Sequence, residues 1–232
     1  MAQIHPHFGV EIGAPLTDTF TSGGFSSFAG SAITVNETQG HTRRVLIGPT
    51  FGIEFAHGFG IECDALYQRE SYDTYSAFGP PLSYTFTQAA ANRWQFPLLM
   101  QYSHKIWKIK TFAEAGPSFL HVSGPRFTST SNISSDGTVG VTPTTTTSSS
   151  GLGDTSAGLT AGGGIDFPLW RIHLRPEFRY SRWFSPVAGP GSGISSAVSF
   201  FPLSGFLSGN AVAGPSFHAN QNEASLLLGI TF

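Results

Sequence analysis

Charged residues are scarce in this sequence. Asp, Glu, Lys and Arg make up 11% of its 232 residues, against about 25% in ordinary soluble domains. With a net charge of −2, there is no basic surface for nucleic acid and no strong field to steer an anionic partner. Cysteine is reduced to Cys63, which excludes an internal disulfide and any cysteine-based metal centre. Its place in an alternating strand predicts a packed thiol. No run of about 18 apolar residues occurs, so no transmembrane helix is predicted. The start, Met1-Ala2-Gln3, lacks the basic and apolar regions of a secretory leader. The expectation is a mature exported chain whose leader has been removed and to which Met1 was added. No motif calls for a cofactor or a metal.

What the sequence has in abundance is glycine, 28 residues, and phenylalanine, 21 residues. They follow a period of two. Eight segments, 8–16, 45–55, 59–67, 94–102, 111–119, 159–167, 172–180 and 226–232, carry apolar residues at alternate positions and no charge among them. Phe8, Val10 and Ile12 open the series; Leu226, Leu228, Ile230 and Phe232 close it. The intervening positions hold the polar residues: Glu11, Arg44, Glu54, Glu62, Asp64, Arg93, Glu114, Asp166, His173, Arg175, Glu177 and Arg179, interspersed with glycines.

A soluble sheet would bury the apolar face, and a membrane barrel turns it outward to lipid. Glycine weakens a strand and has no use on a solvated face, whereas the narrow interior of an eight-stranded barrel admits only some large side chains. The connections alternate as well. Those at 56–58, 104–108 and 168–170 are short, and those at 17–42, 71–91, 121–155 and 184–220 are long, as short periplasmic turns and long outer loops would be. Aromatics stand near the strand ends. Phe55, Phe59, Trp107 and Trp170 lie by the short turns, and Tyr67, Trp94, Tyr180 and Trp183 by the long loops, a distribution suited to two interfacial girdles. The predicted fold is one domain over 1–232: a closed, eight-stranded, antiparallel, up-and-down transmembrane β-barrel. Pro49, Pro97, Pro117 and Pro176 fall within predicted strands and remove ladder donors there; bulges are expected.

The segments Gln95-Phe96-Pro97-Leu98-Leu99-Met100, Ala113-Glu114-Ala115-Gly116-Pro117-Ser118 and Pro176-Glu177-Phe178-Arg179-Tyr180-Ser181-Arg182-Trp183, with the ending Leu226-Leu227-Leu228-Gly229-Ile230-Thr231-Phe232, resemble the small outer-membrane β-barrel proteins. That family includes the transmembrane domain of outer-membrane protein A. The resemblance covers nearly the whole chain. It implies a bacterial outer-membrane location, contact with membrane lipid and lipopolysaccharide, and handling by the barrel-assembly machinery, for which terminal Phe232 resembles the recognition signal. It implies no single function, since such barrels serve as anchors, adhesins, envelope stabilisers and occasionally enzymes.

The inward charges are the first candidates for chemistry. A tight turn at 168–170 would set Asp166 opposite His173, Gly164 opposite Arg175 and Gly162 opposite Glu177. Paired charges would plug the lumen; the alternative is a narrow ion channel gated by the same pairs. His218, in Phe217-His218-Ala219-Asn220, faintly resembles the His-x-Ser-Asn motif of lipid A deacylases. Asn220 stands where their serine should be, so a nucleophile is missing, even with Glu223 at hand to orient a histidine. His5 and His7 flank Pro6; if processing left Gln3 at the N-terminus, its free amine, two amides and the His5 imidazole could hold Cu(II), although two histidines in the periplasm need no function. Residues 127–154, low in complexity around a Thr/Ser run, are expected to form a mobile surface loop. The apolar groups near 198–207 could fold over the barrel mouth or meet an extracellular partner. The reading is a structural or surface-interaction protein, not an enzyme; the alternatives are the channel and a lipid A-modifying enzyme.

Overall fold

The computed structural model describes residues 5–18, 23–29, 32–42, 44–79, 83–107, 109–133, 144–149, 154–185 and 220–232. These form a single antiparallel sheet of twelve strands: β1 (His5–Pro15), β2 (Gly23–Ala29), β3 (Ala32–Thr42), β4 (Leu46–Glu54), β5 (Phe59–Asp64), β6 (Leu66–Gly79), β7 (Ser83–Ile106), β8 (Ile109–Ile133), β9 (Thr144–Ser149), β10 (Asp154–Leu169), β11 (Ile172–Trp183) and β12 (Asn222–Thr231). The described residues contain no α-helix, only a 3-10 turn at Ala56–Gly58.

Partners traced across the sheet return to their origin. Pro15 of β1 pairs with Ser225 of β12, Ser225 with Arg179, Arg179 with Gly162, Gly162 with Glu114, Glu114 with Gln101, Gln101 with Gly60, Gly60 with Glu54, and Glu54 with His5 of β1. The circuit visits β1, β12, β11, β10, β8, β7, β5 and β4, and re-enters β1 at His5 after leaving it at Pro15, ten residues along.

Alternation along these strands sorts the side chains in two. Phe8, Ile12, Phe51, Met100, Phe119, Leu159, Phe178 and Leu226 are exposed, while Glu11, Glu62, Asp64, Arg93, Glu114, Arg175, Glu177 and Arg179 are buried. A period of two allows no other outcome once one residue's facing is fixed. The concave face is not purely polar, since Leu46, Leu66, Leu99, Phe112, Leu120 and Leu227 are also buried there. Cys63 is free and exposed on the outer face of β5, not packed.

Three expectations need correcting. The connections at 17–42, 71–91 and 121–155 are not simply loops. β3, β6, β7 and β8 run on through them, with β2 pairing β3 and β9 pairing β8. The 127–154 stretch therefore includes the end of β8 and all of β9, because Thr-rich segments suit strands. The β10–β11 hairpin turns at Trp170-Arg171, setting Gly164 opposite Glu177 and Gly162 opposite Arg179, two residues from the expected register. The apolar stretch near 198–207 and His218 lie outside the described residues.

Pro49, Pro97, Pro117 and Pro176 do not shift the register. Pro49 and Pro97 flank the break between β5 and β6, where the ladder lacks donors; the Ala65 amide donates to the Pro49 carbonyl at 3.1 Å. The pairs Thr50–Asp64 and Ile47–Tyr67 share one offset across the gap, as do Cys63–Leu98 and Leu66–Gln95. The one register shift between β7 and β8 falls between Ala90 and Asn92, opposite Ser123 and Arg126, so the extra residue is on β8, in the stretch that holds Gly124 and Pro125.

Candidate functional site

Arg175, Glu177 and Arg179 alternate with Pro176, Phe178 and Tyr180 along β11, so the three charges share the inner face. Opposite them β10 carries Gly162 and Gly164. A Cβ on Gly162 would sit 2.9 Å from Arg179 Cγ and 3.3 Å from Glu114 Oε1. Glycine here makes room for the long side chains.

Arg179 is the hub. Its Nη1 donates to Asp64 Oδ2 at 2.6 Å, and its Nη2 donates to Glu62 Oε1 at 3.0 Å and Glu11 Oε1 at 3.2 Å. Its Nε donates to Glu114 Oε1 at 2.8 Å and to Glu177. Arg175 Nη1 donates to Glu62 Oε2 at 2.5 Å, and its guanidinium lies 4.5 Å over the Phe112 ring. His7 Nε2 approaches Glu62 Oε2 at 3.7 Å. The cluster thus gathers five carboxyls around two guanidiniums. Carboxylate oxygens of Glu11, Glu62 and Asp64 lie within 4.8 Å of one another, as do those of Glu62, Glu114 and Glu177. These triads have the donors for a cation, but Arg179 already sits among them.

A second cluster lies toward the long connections. Arg93 of β7 donates to Glu70 Oε1 at 2.8 Å and to Glu223 Oε2 of β12 at 2.6 Å. Gln95 Nε2 donates to Glu223 Oε1 at 3.0 Å, and Trp183 Nε1 to Glu223 Oε2 at 3.2 Å. In both clusters the bonds cross the circuit. β11 and β5 are four strands apart in either direction around it, and so are β7 and β12.

The remaining polar residues occupy the ends. Lys110 Nζ meets Glu54 Oε2 at 2.5 Å, with both side chains half-buried. His173 Nδ1 meets Asp166 Oδ1 at 2.7 Å, its ring largely exposed. Arg44, expected inside, is exposed beside Asp18 at 3.8 Å. Its parity is inward, but β4 begins only at Leu46.

Among the aromatics, Tyr67 packs on Trp94 at 5.1 Å and donates to Asn92 Oδ1, while Tyr180 donates to Asn222 Oδ1. Phe55, Phe59 and Tyr180 are exposed, and Trp107 and Trp170 project from their turns. Trp183 is buried against Arg93 and does not face lipid; its position number shares the parity of Arg175 and Arg179. Phe232 packs 6.0 Å from Phe8, and its amide donates to the Phe8 carbonyl at 2.9 Å.

The sequence reading passed over Glu70, Glu223, Lys110 and His7 as interior partners. The signal was parity, continued past the last apolar residue of its segment for Glu70 and back before the first for Glu223. Glu223 is held by Arg93, Gln95 and Trp183, and Asn220 Oδ1 accepts from the Asn222 amide at 3.1 Å.

Residues 1–189 match the family described as outer membrane protein beta-barrel domain. No curated protein matches the chain. Among solved structures, Neisserial surface protein A is 11% identical with a TM-score of 0.33, over 100% of this chain and 97% of its own. Ail, the attachment invasion locus protein of Yersinia pestis, solved in complex with the heparin analogue sucrose octasulfate, is 8% identical with a TM-score of 0.33, over 98% of this chain and 99% of its own. With well over half of its length matched, this chain belongs to the outer membrane protein beta-barrel domain family and is a protein of the bacterial outer membrane.

Proposed function

We propose that the chain is a closed, eight-stranded, up-and-down barrel with a sealed lumen, serving the outer membrane as a structural and surface-interaction protein. The register circuit supports the strand count. A ten-residue offset over eight strands implies a tilt of about 40°, from a rise of about 3.3 Å per residue and a strand spacing of about 4.8 Å, within the range of closed barrels. The implied radius is roughly 8 Å, so opposite walls meet through their side chains.

The observation that carries the sealed lumen is the set of bonds across the diameter. Arg179 to Asp64, Arg175 to Glu62 and Arg93 to Glu223 each join strands on opposite sides, at 2.6, 2.5 and 2.6 Å. Contacts that close leave no room for water between the partners. Two such layers leave the barrel as a rigid anchor. The ribbons built from β2, β3, β6, β7, β8 and β9 then become the surface that meets an extracellular partner. No catalytic step belongs to this reading.

Planar-bilayer recording tests it. The purified barrel is expected to add no steady conductance at either polarity. A stable ohmic current in the wild type would overturn the sealed lumen in favour of the narrow channel.

A further inference from the structure

The cations are unevenly distributed. All three lysines of the sequence, Lys105, Lys108 and Lys110, fall within six residues at the β7–β8 turn. Arg171 lies in the β10–β11 turn, and β8 pairs with β10, so the two turns adjoin. The nearby acids are already engaged, Glu54 by Lys110 and Asp166 by His173. Lys105 is exposed, forms no ion pair among the described residues, and stands directly opposite Lys110. Like charges so placed weaken a ladder; Glu54 offsets Lys110, and no ion pair among the described residues offsets Lys105.

The same two turns carry a shared pattern, aliphatic-Trp-basic-Ile: Ile106-Trp107-Lys108-Ile109 and Leu169-Trp170-Arg171-Ile172. Trp107 and Trp170 are each 93% exposed, although tryptophan in a folded protein normally buries most of its surface. Both adopt positive φ, 58° and 60°, a strained choice for a bulky side chain at a place two-residue hairpins usually give to glycine or asparagine. The Arg171 guanidinium lies 5.0 Å over the Trp170 ring. Strain and exposure repeated at two adjoining turns call for a ligand outside the fold.

We propose that these turns form a binding surface for the anionic headgroups of phospholipids in the inner leaflet. The indoles enter the headgroup layer, where tryptophan is favoured, and Lys105 and Arg171 meet the phosphates, which attract basic side chains near an anionic surface. The assignment rests on the barrel reading above, in which short turns face the periplasm. Its added content is a preference for anionic lipid, not the presence of interfacial aromatics.

Tryptophan quenching tests it. The protein is placed in vesicles containing brominated phosphatidylglycerol or, at equal mole fraction, brominated phosphatidylcholine. The W107F/W170F variant supplies the background from the other two tryptophans. Brominated phosphatidylglycerol should quench Trp107 and Trp170 several-fold more effectively. The preference should vanish in K105E/R171E and in the milder K105Q/R171Q, both with unchanged heat-modifiable migration. Equal quenching in the wild type, or a preference surviving in both charge variants, overturns the proposal. So does equal quenching joined to sedimentation with peptidoglycan that the variants abolish, which would give the turns to the cell wall. Loss of heat-modifiable migration in the wild type itself would instead tell against the barrel reading.

Discussion

Replacing Arg179 by methionine should disable folding far more than replacing Arg175 by methionine, although the two arginines lie four residues apart on one strand and are equally buried. Arg175→Met removes one close partner of Glu62, which keeps Arg179 Nη2 at 3.0 Å. Breaking a buried pair costs about 3–5 kcal/mol, and the retained partner puts this case near 3. Arg179→Met removes the hydrogen-bonded cation from Glu11, Asp64, Glu114 and Glu177 together. With the bond to Glu62 lost as well, at about 1.5 kcal/mol for each charge-assisted partner, the low end of the range, five losses come to about 7.5 kcal/mol. That is comparable with the whole stability of a small domain, about 5–15 kcal/mol. The assay is urea unfolding in detergent micelles, followed by heat-modifiable migration and circular dichroism. With a slope of about 2 kcal/mol per molar urea, Arg175→Met should lower the midpoint by about 1.5 M. Arg179→Met should lower it at least twice as far or fail to refold at neutral pH. Arg179→Lys should fall between, since an ammonium keeps the charge but not the planar fork. An Arg179→Met midpoint at or above that of Arg175→Met would refute the hub.

At the β10–β11 turn, Trp170→Gly should be more stable in micelles than Trp170→Ala by about 1–2 kcal/mol, because only glycine escapes the penalty of positive φ; equal midpoints would deny the strain. A chain ending at Thr231 should still refold into micelles. It loses the Phe232 contact with Phe8 and the amide bond to the Phe8 carbonyl, about 1.5–3 kcal/mol of side-chain burial at most. In cells the same truncation should accumulate poorly in the outer membrane if Phe232 serves as the assembly signal; normal surface levels would contradict that role.

The outward and inward faces were legible wherever lipid imposes them. Phe8, Val10 and Ile12 alternate with Gly9, Glu11 and Gly13 because one side meets hydrocarbon and the other does not. Beyond the bilayer both faces of a ribbon meet water, and the alternation fades. That is why β2, β3 and the far halves of β6 to β8 read as loops, although Thr34, Val35, Tyr72, Thr74 and Tyr75 are strand formers. Trp183 was misassigned for the opposite reason. It was sorted by residue type, as an interfacial aromatic, when its parity with Arg175 and Arg179 already set it inside. Arg44 shows the limit of parity, which fixes a direction but not where the strand begins.

Which charges meet across the sheet was beyond any local reading. A hairpin register follows from its turn, and even there Trp170-Arg171 moved the pairing by two residues. The bond from Arg175 to Glu62 joins strands four steps apart, so it depends on every register between them. A two-residue slip in any one of those pairings would carry Arg175 past Glu62 while leaving each strand's faces unchanged. Glycine at Gly162 and Gly164, and proline at Pro49 and Pro97 without a bulge, keep those registers compatible with one another. Parity therefore delivers charges to the interior one strand at a time, while their partners are set by the ten-residue stagger of the whole circuit.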